Sequence, residues 1–218
     1  MQLNIFLIIS TLLIVKPTVN GLFIAQFGVK SLPLAFVLVA LSAMGLSYFY
    51  SRKLVKLSFY VMVRRTITIS VITLIIFGIL LSLNILVGWV IYLFYIWVAL
   101  FAVLSASQFW ILANLVFNLR EAKRLFGFIG AGAIAGGIFG GYLTSLLAPV
   151  IGSENLLFVS AFLLLICIPV TRTVWRENLS GKKNPFKNKN KLKEIVESPF
   201  RLIRKSKHLT YLAGIVGV

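Results

Sequence analysis

The chain has 218 residues, 60% hydrophobic and 12% charged, with a mean hydropathy of +1.00. A soluble domain carries about twice that charged fraction, so a soluble enzyme, a disordered chain and a disulfide scaffold are excluded. Twenty-two Lys and Arg stand against five Asp and Glu, a net charge of +17, and where those cations lie decides whether they mean nucleic acid or membrane topology.

A hydrocarbon core about 30 Å thick needs about 20 apolar residues per helical crossing. Apolar runs of that order predict six spans, at 3–28, 32–50, 66–86, 89–117, 126–150 and 156–170. The first has no basic leader and no small-residue cleavage site, so it reads as a span and not as a cleaved signal peptide. Lys16 sits near its middle, in LLIVKPTVNGLF. A midspan cation faces a water-filled cavity or a partner, or else snorkels to the interface. The first reading makes Lys16 a positive site for an anionic solute. Pro17 lacks an N–H and opens the helical ladder one turn earlier, a feature of transporter binding sites.

The second and third spans flank a basic stretch with Arg52, Lys53, Lys56, Arg64 and Arg65. Span four ends in SASQFWILANLVFNLREAKRLFGF, where Gln108 and Asn114 are polar groups in an apolar run. Such groups face protein or a cavity. Trp110 reads either as an interface anchor or as a platform that stacks on a base. Arg120, Lys123 and Arg124 follow at the cytoplasmic mouth, where they draw in phosphates or simply set topology. In span five, Gly132, Gly136 and Gly140 recur every four residues, as do Ala133, Gly137 and Gly141. That makes a flat face on which another helix approaches closely. It is no phosphate loop, which needs a preceding strand and a Gly-Lys-Ser/Thr ending. Span six holds Cys167, the single cysteine, which forms no internal disulfide.

No Asp or Glu lies inside a span, so no buried carboxylate is available for a proton relay or a sodium site. No metal-ligand cluster, nucleophile constellation or nucleotide-hydrolysing motif is present, and the expectation is a non-enzyme without cofactor or metal. Residues 1–175 thus form a six-span bundle. Residues 176–207 read as a basic linker: a polar loop, then an amphipathic stretch suited to an anionic leaflet, with a helix start at Ser198-Pro199. Residues 208–218, HLTYLAGIVGV, read as the start of a seventh span, cut off, with His208 at its edge. Twenty of the 22 cations fall after spans two, four and six. This alternation is the positive-inside pattern. It places the N-terminus and the linker in the cytoplasm of a multi-pass membrane protein, and nucleic acid is not implied.

Six spans, a basic cytoplasmic stretch and the opening of a seventh resemble one half of a major-facilitator transporter. The run FWILANLVFNLREAKRLFGFIGAGA, residues 109–133, resembles the ATP/ADP translocase family and its bacterial relatives through Phe109, Trp110, Ala113, Asn114, Glu121, Ala122, Lys123, Arg124 and Gly130. In span one, Lys16 falls on that family's arginine, and Leu22 on its leucine. Val19 and Asn20 stand where the family has lysine and aspartate. The resemblance implies an all-α integral membrane fold of the bacterial inner membrane, the N-terminal bundle of a facilitator, in which Lys16, Asn20, Gln108 and Asn114 line the central cavity and an anionic solute such as ATP or ADP is exchanged by alternating access. The missing second half is supplied in cis or by a homodimer. Two alternatives stand beside it. One is a non-transporting anchor or sensor module of a larger regulatory protein, whose glycine face docks a partner helix. The other is a half-transporter fragment inactive alone.

Overall fold

The computed structural model describes residues 1–56, 59–83, 87–117 and 119–179. These residues form six long α-helices: α1 (Gln2–Phe27), α2 (Leu32–Lys56), α3 (Phe59–Ser82), α4 (Val87–Val116), α5 (Leu119–Ile151) and α6 (Leu156–Leu179). A single 3-10 turn, Val29–Ser31, joins α1 to α2. All six are long and apolar enough to cross a membrane. The linker beyond residue 179 and the start of a seventh span at 208–218 lie outside the described residues.

Several helices run past the apolar stretches that define the spans. Arg52, Lys53 and Lys56 are on the last turns of α2, and Arg64 and Arg65 on the second turn of α3. Arg120, Lys123 and Arg124 are on the first turns of α5, and Arg172 and Arg176 on the last of α6. Helical backbone bonds close within the segment and do not depend on the surroundings. The apolar stretch and the helix therefore end at different residues. Two ends are set by glycine. Gly28 (φ 71°) and Gly152 (φ 82°) have a positive φ, which favours glycine, and their N–H groups donate to the Ile24 and Ala148 carbonyls where α1 and α5 end.

Short connections make successive helices antiparallel, and the contacts agree. Phe23 near the end of α1 meets Tyr92 and Tyr95 near the start of α4, and Tyr60 of α3 meets Trp175 of α6. α1 is the most enclosed helix: it packs chiefly on α5 and also on α6 and α4, while α3 joins α6 and α4. The largest buried side chains, among them Phe23, Phe94, Leu74, Leu157 and Leu164, fill the space between α1, α3, α4 and α6. α2 rests on α4 and leaves most of its surface open, as does α5 outside its seam with α1. Lipid is as apolar as leucine, so fit and hydrogen bonds between helices, not removal of surface from water, hold such a bundle together.

Candidate functional site

Lys16 lies in the body of α1, about 21 Å from its first residue and about 17 Å from its last at 1.5 Å per residue. Around it α1 buries Ile14, Val15, Thr18 and Val19, whereas Leu13, Lys16, Pro17, Gly21 and Ile24 form an exposed stripe at three- and four-residue spacing. Asn20, half-buried, borders that stripe one turn beyond Lys16. No carboxylate among the described residues pairs with the lysine. Pro17 leaves the carbonyl of Leu13 without its helical donor. Thr144 of α5 faces it, its Oγ1 donating at 2.8 Å to Gly140 and lying 3.5 Å from the Leu13 oxygen. The midspan cation thus adjoins the point where the α1 ladder is open.

Gln108 and Asn114 lie on different faces of α4. Asn114 is exposed, as are Val103, Ser107 and Trp110 along the same stripe. The Trp110 indole meets Phe126 of α5 edge-on at 5.7 Å. Gln108 is buried, 4% exposed, and its Nε2 donates to Thr66 Oγ1 of α3 at 2.7 Å. The side chains of Arg120, Lys123 and Arg124 lie outside the described residues.

Gln108 belongs to a polar cluster that no sequence motif announces. Asn4 of α1 is 2% exposed and donates through Nδ2 to Thr171 Oγ1 (2.7 Å) and Cys167 Sγ (3.4 Å) of α6. Thr171 in turn donates to the Cys167 carbonyl at 2.9 Å. Asn4, Ser105, Gln108 and Thr171 share the wall of a cavity of about 20 Å³, closed by Ile8, Phe101 and Leu164. That volume admits one water. Its hydrogen bonds join α1 to α6 and α4 to α3 through neutral side chains. A double-mutant cycle on Asn4→Ala and Thr171→Val is expected to return a coupling of about 0.5–1.5 kcal/mol in detergent unfolding. Additive losses would mean that the bond carries no energy. The only hint in the sequence was small polar residues inside apolar runs, and Asn4 and Thr171 are too far apart in the chain to be paired from it.

The glycines of α5 resolve into one working face. A Cβ on Gly132 would stand 2.6 Å from Gln2 Cγ, on Gly136 2.5 Å from the Phe6 oxygen, and on Gly140 2.6 Å from the Ser10 oxygen. Each step of four on α5 meets a step of four on α1, so the two helices run parallel in register. Ser10 Oγ donates across the seam to the Gly136 carbonyl at 3.0 Å. Gly137 would make only an ordinary contact, and Gly141 none.

Among the described residues no three His, Cys, Asp or Glu side chains come together to hold a metal. The fold and its polar groups define an all-helical bundle of six apolar helices, with an exposed cation in the middle of its most enclosed helix. No family model, no curated protein and no solved structure matches this chain.

Proposed function

We propose that this bundle is the N-terminal half of a facilitator-type transporter, similar to the ATP/ADP translocases, that moves or exchanges an anionic, nucleotide-like solute by alternating access. The observation that carries the reading is Lys16, an exposed ammonium at mid-depth on a helix otherwise wrapped by α4, α5 and α6. Such a charge is not stable against lipid tails. It is accommodated if this face of α1 lines an aqueous cavity opposite a second bundle, where a phosphate supplies the counter-charge. Asn20 adds a polar group beside it, and Asn114 adds one on the exposed stripe of α4. Because the cations crowd one end of the helices, that end faces the cytoplasm of a bacterial inner membrane. Exchange of radiolabelled ATP and ADP is measured in liposomes, with this chain and with the same chain extended through its natural downstream sequence. Exchange by the extended form alone is expected. Absence of exchange of these or other anions by both forms rejects transport.

One observation favours the second reading, a non-transporting anchor or sensor. Val19, on the position of the family's lysine, is 1% exposed inside the core. A solute in the cavity does not reach it, so the residue-by-residue likeness in span one weakens there. A downstream sequence of soluble regulatory repeats in place of further spans would decide for this reading.

A further inference from the structure

The cation-rich end of α3 carries a cleft of about 370 Å³ lined by Tyr60, Val61, Arg64, Arg65, Thr68 and Ile69. All six lie on one face of the helix by three- and four-residue spacing, and both arginines are exposed. The Tyr60 ring meets Trp175 of α6 at 5.4 Å, which brings the last turns of α6, with exposed Arg172 and Arg176, to the same level. Paired tyrosine and tryptophan rings mark the headgroup depth of a bilayer. Below Ile69 the same face continues as Ile72, Ile76 and Ile79, all exposed. From Ile69 to Ile79 is about 15 Å of helix, close to the depth of one leaflet's hydrocarbon.

We infer that this face is a binding site for an anionic phospholipid, whose phosphate sits between Arg64 and Arg65 and whose acyl chain lies along the isoleucine row. The guanidinium group presents a planar fork matched to phosphate oxygens, and Tyr60 supplies a hydroxyl at the same level. A soluble phosphate would use the arginines but leave Val61, Ile69 and the isoleucine row idle, so the lipid explains more of the surface. The inference rests on the helices spanning a membrane and is independent of transport.

The test is native mass spectrometry of the full chain in detergent with equimolar phosphatidylglycerol and phosphatidylcholine. The wild type is expected to retain phosphatidylglycerol preferentially. The R64Q/R65Q double variant is expected to lose that preference by about tenfold or more, since it removes both cations that attract the anionic headgroup. K30Q, at the opposite end, is expected to change nothing. The R64K/R65K double variant keeps charge without the fork and is expected to fall between, which preserves the test if the glutamine variant does not fold. Equal retention of the two lipids, or unchanged retention in both arginine variants, overturns the site. So does displacement of the lipid by soluble glycerol phosphate, which would make it a site for free phosphate esters.

Discussion

Replacing Gly136 with valine is expected to prevent assembly of the bundle or to lower its stability by about 3 kcal/mol or more, as overpacking against an immovable neighbour does. A Cβ there meets the Phe6 carbonyl oxygen at 2.5 Å and the Phe6 Cα at 3.0 Å. Both are backbone atoms of α1, which is held on its other sides by α4 and α6, so no rotamer change relieves the clash. Gly140, against the Ser10 oxygen and Cα, is expected to behave alike. Gly132 should be milder, because its nearest neighbour is the flexible Gln2 side chain. Gly141→Ala, with open space around it, is expected to be neutral or to stabilise by about 0.5–1 kcal/mol through the better helix propensity of alanine. Size-exclusion profiles and thermal unfolding in detergent check the order. If Gly136 and Gly141 variants behave the same, the seam between α1 and α5 is not where the structure puts it.

Lys16→Ala in a transport-competent, extended form is expected to reduce anion exchange by on the order of 30-fold or more while leaving stability equal or higher. The first effect is the loss of the charge partner of the solute, about 2 kcal/mol or more. The second follows because an unpaired cation at mid-depth destabilises an apolar helix, and active sites commonly carry such a burden. The two readouts separate the roles. A structural lysine would lower Tm when removed and affect exchange only through loss of protein. Lys16→Arg keeps the charge and is expected to retain measurable exchange, because the longer guanidinium still reaches an anion from an exposed position. Unchanged exchange in Lys16→Ala would remove this residue from the solute pathway.

Much of this architecture was legible in the amino-acid order, for a reason of scale. Membrane thickness and helical rise together set a length of about 20 residues, and six apolar runs of 15 to 29 residues bracket it. The charges between them alternate in number strongly enough to sort the two ends. The period-four glycines likewise announced a close helix contact, because small side chains at one helical face permit little else. Where an apolar run ends, however, is not where a helix ends, and the basic turns of α2, α3, α5 and α6 are helical for that reason.

The rotation of each helix about its own axis was not legible. In a soluble protein the apolar stripe points inward and fixes that angle, but here protein interior and lipid are both apolar, and leucine is at home in either. Only the tertiary structure therefore decided that Gln108 turns inward to Thr66 while Asn114, six residues on, stays outside. It alone chose Gly132, Gly136 and Gly140 over Gly137 and Gly141, and matched Asn4 with Thr171 at the other end of the described chain. Sequence by itself determined that the described residues hold six long apolar helices and at which of their ends the charges gather. Packing decided which way every one of them faces, since van der Waals fit and hydrogen bonds between distant residues are properties of pairs and not of runs.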